Sequence, residues 1–211
     1  YEPGQYITVR VNIPGAQYLM NRQYSLSKAS DLDAFRISVK KEDESNPEGK
    51  VSVHLHKQMN IGDKVEISAP AGEFTLNKEE TAPVTFISGG VGITPMMSML
   101  ETVANNQPER SVSFICSTRK KNLHPFDQDI RSLIDSLENG VYKSLYSEEG
   151  DGYITKEIIK EYAHKDGDVY VCGPVSFMET MINHLLEIGF AKNHIRYEFF
   201  GPALNLNLTE I

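Results

Sequence analysis

The fold of this chain is decided by the stretch VTFISGGVGITP, residues 84–95. An apolar, β-branched run followed by a glycine cluster predicts a buried strand that ends in a tight turn. A helix is predicted to begin at about Pro95, with Thr94 as its N-cap. Glycines let a ligand approach the backbone, and a helix N-terminus attracts anions, so the stretch suits the pyrophosphate of a dinucleotide. The spacing G-G-x-G-x-T-P differs from G-x-G-x-x-G, however, and taken alone it also suits a turn that binds nothing.

Strands and helices alternate from about residue 81 to the end of the chain. Further strands are predicted at 111–117, 141–146, 168–172 and 195–199, and helices at 126–137, 155–163 and 175–188. This alternation predicts a parallel sheet with right-handed crossovers and helices on both faces. Ligands bind beyond the carboxyl ends of such strands, where the glycine cluster, residues 117–119 and residues 172–174 all fall.

The first part of the chain consists of short strand-like segments separated by turns. Residues 5–13 alternate apolar and polar side chains, and residues 23–28, 34–41 and 64–68 also have the pattern of strands, with a short helix near residues 51–59. Such short strands favour a compact antiparallel barrel over a sandwich. We therefore predict a mixed fold, with an N-terminal antiparallel β-barrel in residues 1–80 and an α/β parallel-sheet domain in residues 81–211.

Composition restricts the class of partner. The 211 residues have a net charge of -8 and no basic stripe, which argues against nucleic acid as the main partner. No apolar run approaches the roughly 20 residues that a membrane span needs. Cys116 and Cys172 both end apolar runs, which indicates buried thiols in a reducing compartment and favours the cytoplasm. The six histidines lack metal-ligand spacing, and two cysteines are fewer than the roughly four of an iron–sulfur cluster, so no metal is predicted.

Four motifs occur in the order found in the ferredoxin-NADP reductase-like flavoenzymes. They are RQYS at residues 22–25, GKVS at residues 49–52, the glycine turn at residues 89–95 and CGP at residues 172–174. Each motif is weak alone, but their order and their predicted elements make the resemblance specific. The resemblance covers nearly the whole chain, and it implies an FAD-binding antiparallel barrel followed by an NAD(P)-binding α/β domain.

Three further segments narrow the resemblance. EPGQY at residues 2–6, HPF at residues 124–126 and YEFFGP at residues 197–202 are similar to the reductase part of bacterial flavohaemoglobins. That resemblance implies hydride transfer from a nicotinamide to FAD and single-electron transfer onward. In the full-length family the acceptor is a haem in a globin domain, and the whole enzyme is a nitric oxide dioxygenase. The alternatives are a free-standing flavin reductase or oxygenase reductase component, and a non-catalytic nucleotide-binding or docking module.

The resemblance also assigns site residues. The FAD-binding set is Tyr6, Arg22, Gln23, Tyr24, Ser25, Gly49, Lys50, Val51 and Ser52. The nicotinamide-binding set is Gly89, Gly90, Val91, Gly92, Thr94, Pro95, Cys172, Gly173 and Pro174. Arg119 joins this set through its place after the second strand of the α/β domain and not through the resemblance. The C-terminal segment along the flavin is Phe199, Phe200, Gly201 and Pro202. The residues nearest the reacting atoms are Tyr24, Ser25, Cys172, Glu198 and Phe200.

The implied roles are chemically specific. Arg22 holds the FAD pyrophosphate with its planar fork, Tyr24 packs on the flavin ring, and Ser25 donates a hydrogen bond beside the reactive flavin nitrogen. Phe200 covers the flavin face and yields to the nicotinamide, while Glu198 tunes the flavin potential. Taken singly, each residue also has an ordinary structural explanation. Arg22 suits an exposed surface, Tyr24 a core, Ser25 a strand and Glu198 a solvated position.

Two expectations stay open at the level of sequence. Family members have further residues before Glu2, so we expect an open barrel edge here and a weakened affinity for FAD. An acidic residue after the second strand of the α/β domain would favour NADH, but Arg119 stands near that place and suits a 2′-phosphate. The resemblance favours NADH, with NADPH as the alternative.

Overall fold

Two sheets follow one another along the chain. The computed structural model describes residues 1–31 and 33–200. Its strands are β1 (Tyr6–Val11), β2 (Met20–Ser25), β3 (Glu66–Ile67), β4 (Val84–Gly89), β5 (Val112–Thr118), β6 (Gly140–Tyr146), β7 (Asp168–Cys172) and β8 (Ile195–Glu198). Its α-helices are α1 (Lys50–Lys57), α2 (Ile93–Asn106), α3 (Asp127–Asp135), α4 (Lys156–Tyr162) and α5 (Val175–Glu187).

The N-terminal lobe, defined here as the described residues up to residue 76, is built on an antiparallel sheet in the order β2-β1-β3. Alternation along β1 places Ile7, Val9 and Val11 in a small core with Leu26 and Val51. The buried face is the one that the period-two pattern predicts, because successive side chains of a strand point to opposite faces. Helix α1 covers this core.

One predicted strand of this lobe is wrong. Residues 34–41 form no continuous ladder in the described structure, although Ile37 makes an isolated bridge with Leu26. The amide of Ser27 donates to the carbonyl of Arg36 at 2.8 Å, and the imidazole of His56 contacts the carbonyl of Val39 at 2.7 Å. An alternating pattern favours an extended backbone, but a strand also needs neighbouring backbone that pairs with it residue by residue.

The C-terminal lobe, defined as the described residues from residue 84 onward, contains a five-stranded parallel sheet in the order β6-β5-β4-β7-β8. Phe86 and Phe114 lie in a core with α2 and α3, whereas Ile87 and Ile115 lie in a second core with α4 and α5. The predicted sheet with helices on both faces is therefore confirmed. The strand order reverses between β4 and β7, and the crevice outside such a reversal is where ligands bind in open α/β sheets.

The start of α2 differs from its prediction. Residues Gly90–Gly92 form a single 3-10 turn that continues directly into the α-helix at Ile93. Thr94 is therefore inside the first turn and does not cap the helix; its Oγ1 donates to the carbonyl of Val91 at 3.1 Å. Pro95 also lies in this first turn, as predicted, because a missing N–H is tolerated there.

Two local expectations, the N-cap of α4 and the state of the two cysteines, are confirmed. Thr155 is the N-cap of α4, and its hydroxyl accepts from the amide of Ile158. Cys116 and Cys172 are free, buried thiols. Within residues 1–31 and 33–200, no helix is both long and apolar enough to span a bilayer. In the same residues no three His, Cys, Asp or Glu side chains lie together so as to hold a metal ion.

Candidate functional site

A cavity of about 240 Å³ lies where the two lobes meet. Its lining combines residues from β2, the start of α1, the glycine turn and the end of the described chain. The lining residues are Arg22, Gln23, Tyr24, Ser25, Ser38, Lys40, Glu42, Gly49, Val51, Ser52, Val91, Thr94 and Phe200. Three of the motifs that the sequence singles out therefore lie around one space, although they are far apart along the chain.

Strand β2 contributes the RQYS motif to this cavity. The guanidinium of Arg22 is exposed, donates from Nη1 to the carbonyl of Asn21 at 2.7 Å, and forms no ion pair with a described residue. Tyr24 is half-buried, and this burial raises the pKa of its phenol, with a smaller opposing effect from the charge of Arg22. The Oγ of Ser25 is buried and has no hydrogen-bond partner among the described residues. A buried unpaired hydroxyl is costly, and one that lines a cavity is available to a ligand.

The start of α1 forms another wall. Gly49 is the N-cap of α1 and offers no side chain to its amides. A Cβ at Gly49 would lie 2.7 Å from Ser52 Oγ and 2.8 Å from Glu42 Cβ, so a larger residue is excluded. The uncapped amides and the positive end of the helix therefore face the cavity near Val51 and Ser52. Lys50 is exposed and does not line the cavity.

The glycine turn connects the cavity to the carboxyl edge of the parallel sheet. Gly90 has a φ of +54°, in the left-handed region that side chains rarely adopt. A Cβ at Gly92 would lie 2.2 Å from the carbonyl oxygen of Cys172, so only glycine fits between α2 and the end of β7. Val91 and Thr94 line the cavity, while Gly90 and Gly92 shape the turn that places them there.

The other predicted nicotinamide residues lie along the same edge. Gly89 is opposite Ser117 of β5, and a Cβ at Gly173 would lie 3.2 Å from the Cα of Gly89. Pro174 is the residue from which α5 begins. Arg119 follows β5 by one residue, is exposed and has no ion-pair partner among the described residues.

Glu198 and Tyr6 lie close together around Gly72. A Cβ at Gly72 would be 3.0 Å from the ring of Tyr6 and 3.7 Å from Oε1 of Glu198. Burial raises the pKa of Glu198 to about 7, and its Oε2 is buried without a partner in the described part of the chain. Cys172 lies opposite Glu198 in the sheet, and its thiol is 3.6 Å from the Glu198 carbonyl. Burial raises the pKa of this thiol, so it stays protonated near neutral pH.

The C-terminal aromatic residues are only partly described. Phe200 lines the cavity and is 44% exposed, so its ring is accessible to a ligand. Phe199 packs edge-on against Tyr197 with a centroid separation of 6.0 Å. Gly201 and Pro202 lie outside the described residues.

Several residues at the site escaped the sequence analysis. Ser38 and Lys40 line the cavity. Because they alternate with the apolar residues of 34–41, the sequence indicates that both lie on the same face of this extended segment. Phe177 had no such signal, because a phenylalanine on an amphipathic helix is ordinarily a core residue. A Cβ added at Gly89 or at Gly173 would lie within 3 Å of the Phe177 ring.

A larger cleft, of about 710 Å³, lies along β8 and residues 73–79. Of the predicted site residues only Glu198 lines it. The chemically distinctive side chains are therefore concentrated in the smaller cavity, and size alone does not locate the site.

The residues around the smaller cavity fit a flavin dinucleotide. An arginine without a carboxylate partner and an uncapped helix start suit a pyrophosphate, and the unpaired Ser25 hydroxyl suits a polar ring atom. The glycine turn and the free Arg119 on the adjoining sheet edge suit a second nucleotide. The fold and these residues therefore suit a protein that binds two nucleotides.

Comparison with known families gives the same class. The family model described as an oxidoreductase FAD-binding domain matches residues 1–76, and the model described as an oxidoreductase NAD-binding domain matches residues 86–183. The protein is therefore an oxidoreductase with an FAD-binding and an NAD-binding domain, as the resemblance implies.

Individual relatives define the family. Flavohemoprotein A of Dictyostelium discoideum is 43% identical over 98% of this chain and 54% of that protein. The flavohem-like FAD/NAD-binding domain of nitric oxide dioxygenase from Vibrio cholerae is 38% identical with a TM-score of 0.88, over 96% of this chain and 86% of that one. The flavohemoglobin of Malassezia yamatoensis, solved with bound FAD and heme, is 30% identical with a TM-score of 0.80, over 95% of this chain and 52% of that one.

The chain belongs to the flavohaemoprotein family and corresponds to its FAD/NAD-binding reductase part. It spans about half the length of the curated relatives that it matches. The mixed fold class and the FAD and NAD cofactors predicted from the sequence are thereby confirmed.

Proposed function

We propose that this chain is the reductase module of a flavohaemoprotein and uses NADH to reduce FAD. The observation that supports this most directly is the cavity between the lobes, where β2, the start of α1 and the glycine turn come together around the unpaired Ser25 hydroxyl. When bound, FAD would accept a hydride from the nicotinamide and release its electrons singly to an acceptor.

The residues of the N-terminal lobe would bind and orient the flavin dinucleotide. Arg22 and the uncapped amides of α1 would hold its pyrophosphate, because both present donors and positive charge to the cavity. The ring of Tyr24 would pack on the flavin, and Ser25 would donate its otherwise unsatisfied proton to a ring atom. Tyr6 would support the same end of the cofactor from the neighbouring strand.

The residues of the C-terminal lobe would bind the nicotinamide nucleotide. The turn at residues 89–92 and the start of α2 would receive its pyrophosphate, and the small Cys172 and Gly173 would leave room for the nicotinamide ring. Phe200, which lines the cavity and is partly exposed, would exclude water from the flavin and move aside for the nicotinamide. Glu198 would stay largely protonated below pH 7 and could donate a hydrogen bond.

The two proposed cofactor-binding roles belong to two consecutive parts of the chain. Residues 1–80 form the FAD-binding domain and residues 81–211 the nicotinamide-binding domain, a division supported by family models that match residues 1–76 and 86–183.

The acceptor would be a globin haem in the same polypeptide, and the complete protein would be a nitric oxide dioxygenase. This part of the proposal rests on the relatives' names and on the heme in the Malassezia structure. The free thiols of Cys116 and Cys172 support a cytoplasmic location.

The decisive experiment is an anaerobic absorbance titration of the FAD-reconstituted chain with NADH and, separately, with NADPH. We expect NADH to bleach the flavin band. An Arg119→Ala variant should lose activity with NADPH more than with NADH, because the free guanidinium would contact only the 2′-phosphate. Flavin that binds but is not bleached by either nucleotide would contradict the reductase function. A wild-type protein that never retains FAD would contradict the flavin site itself.

A further inference from the structure

Besides the Gly4 amide, which donates to Ser98 Oγ at 2.8 Å, the two lobes are joined by a polar contact whose residues do not line the cavity. It consists of Ala29 and Arg36 of the N-terminal lobe and Glu101 and Phe126 of the C-terminal lobe, and we call these four residues the interlobe joint. Glu101 lies in the middle of α2, and its carboxylate accepts from the Ala29 amide at 2.7 Å and from Arg36 Nη2 at 2.6 Å. Among the ion pairs of the described residues, Arg36–Glu101 is the one that connects the lobes.

The geometry of the joint is strongly determined. Glu101 is only 17% exposed, so its two charge-assisted hydrogen bonds are partly shielded from water and are stronger than those of a surface pair. Arg36 also donates to the carbonyl and to the hydroxyl of Ser27, which leaves its guanidinium little freedom. A neutral side chain in place of Glu101, or a more flexible one in place of Arg36, would lose these paired hydrogen bonds.

Phe126 provides an independent observation. The Cζ of Arg36 lies 5.5 Å from the centroid of the Phe126 ring, in the position of a cation–π contact. Phe126 has a φ of +64°, in the left-handed region that is unfavourable for a bulky side chain, and it is the residue before α3. Such a conformation persists only where the surroundings maintain it, and here it places the ring against the other lobe.

The joint is linked along the chain to both walls of the cavity. Ser27, which Arg36 binds, follows Ser25 by two residues. Glu101 follows Thr94 by seven residues on one continuous helix, which is about 10.5 Å or two turns. The joint therefore connects the segment that follows Ser25 with the helix that carries Thr94.

We infer that the interlobe joint sets the distance between the flavin and the nicotinamide, with Arg36 and Glu101 as positioning residues. This inference rests on the proposed function, since it assigns the two rings to the two lobes. Hydride transfer requires close approach of the reacting atoms, and a misplacement of about 1 Å can reduce a rate about 100-fold. A joint that keeps the lobes in register would therefore affect the transfer rate without contacting either cofactor.

The test compares Glu101→Gln with a matched control, Glu187→Gln. The first substitution keeps the size of the side chain but removes the charge that binds Arg36. Glu187 forms an ion pair of 2.5 Å with Lys156 entirely within the C-terminal lobe, so its replacement removes a surface pair and leaves the joint intact. Arg36→Lys is a second joint variant, which retains the charge and loses the planar fork.

The first readout needs no cofactor. Nitroxide labels on cysteines introduced at Gln17 and Lys160, one exposed position in each lobe, report the interlobe distance by electron paramagnetic resonance. The native cysteines are buried and should not react with the label. We expect Glu101→Gln to broaden or shift the distance distribution, Arg36→Lys to change it less, and Glu187→Gln to reproduce the wild-type distribution.

The second readout is the rate of flavin bleaching at saturating NADH. We expect Glu101→Gln to lower this rate about tenfold or more, with FAD content and the Kd of NADH changed less than about twofold. Wild-type distance distributions and rates in both joint variants would overturn the inference, as would equal effects of Glu187→Gln. Failure of the wild type itself to be bleached would instead contradict the proposed function, and the label distances would still test the joint.

Discussion

Arg22 combines an exposed guanidinium with a position in the cavity wall, and this combination distinguishes it from an ordinary surface arginine. Its one described hydrogen bond goes to the neighbouring carbonyl of Asn21, so its charge is not neutralised by the protein. An exposed arginine on a strand predicts nothing by itself. Because it lines the same cavity as Tyr24 and the start of α1, it is suited to a diphosphate.

Replacement of Arg22 by alanine should weaken FAD binding roughly tenfold to a hundredfold. A charge-assisted hydrogen bond is worth about 1.5–3 kcal/mol, which corresponds to this range of Kd. The measurement is a fluorescence titration of apoprotein with FAD. Arg10→Ala is the matched control, because Arg10 is an exposed strand arginine that does not line the cavity. Equal weakening by both variants would refute the pyrophosphate assignment.

Glu198 should give the apoprotein a distinctive pH dependence. Burial raises its pKa from an ordinary value of 4.5 to about 7, so between these values the folded protein binds more protons at this site than the unfolded chain. Its contribution to stability is therefore present below pH 4.5 and is lost as the pH rises through 7. Glu198→Gln should raise Tm relative to the wild type more at about pH 8 than at about pH 4.5.

Thermal unfolding of both apoproteins across this pH range provides the measurement. The comparison isolates Glu198, since burial lowers the pKa of His124, His164 and His184 in both proteins alike. A difference in Tm that does not vary with pH would show that Glu198 titrates near its ordinary value.

At the scale of the elements, the contact between α2 and β7 depends on Gly92 having no side chain. Gly92 ends the 3-10 turn, and the Cys172 carbonyl occupies the space that a Cβ would need. This close approach brings the start of α2 to the carboxyl edge of the sheet. The 3-10 turn continues into the helix at Ile93 without a side-chain cap.

Gly92→Ala should lower the free energy of unfolding by about 1–3 kcal/mol or more, because the added methyl group meets backbone atoms that cannot rotate away. Chemical denaturation measures the change. Gly152→Asn is the control: Gly152 has a φ of +74° with no atom within 4 Å of a Cβ, and asparagine tolerates the left-handed region. Similar losses in the two variants would mean that the contact with Cys172 is easily relieved.

At the scale of the whole molecule, the lobes meet around the cavity, so a ligand there should stabilise both. At an FAD concentration of about 100 times Kd, the folded state gains about 2.7 kcal/mol, which corresponds to roughly 5–10 °C in Tm for a chain of this length. Thermal unfolding with and without FAD measures the shift. Riboflavin, which lacks the pyrophosphate, should produce a much smaller one. Equal shifts with the two ligands would contradict the roles of Arg22 and α1.

Local sequence patterns are sufficient to predict the architecture of the C-terminal lobe and the edge of its sheet at which the glycine turn lies. Strand β7 agrees with its prediction residue for residue, and the glycine turn lies at the switch point of the sheet. These features are predictable because they depend on local physics. Buried parallel strands are continuously apolar, and a turn that approaches a neighbouring backbone requires glycine. The RQYS, GKVS and CGP motifs also identified most of the cavity wall and the adjoining sheet edge.

Which segments meet depends on tertiary contacts that no local pattern encodes. Residues 34–41 have a strand pattern but pair at isolated points, and Thr94 resembles a cap yet lies within the helix, because pairing and helix starts depend on neighbours distant in the chain. Arg36 and Glu101 carry no local signal at all. Each is an ordinary charged residue in its own element, and only the packing of α2 against the other lobe shields their contact from water and brings Phe126 beside it.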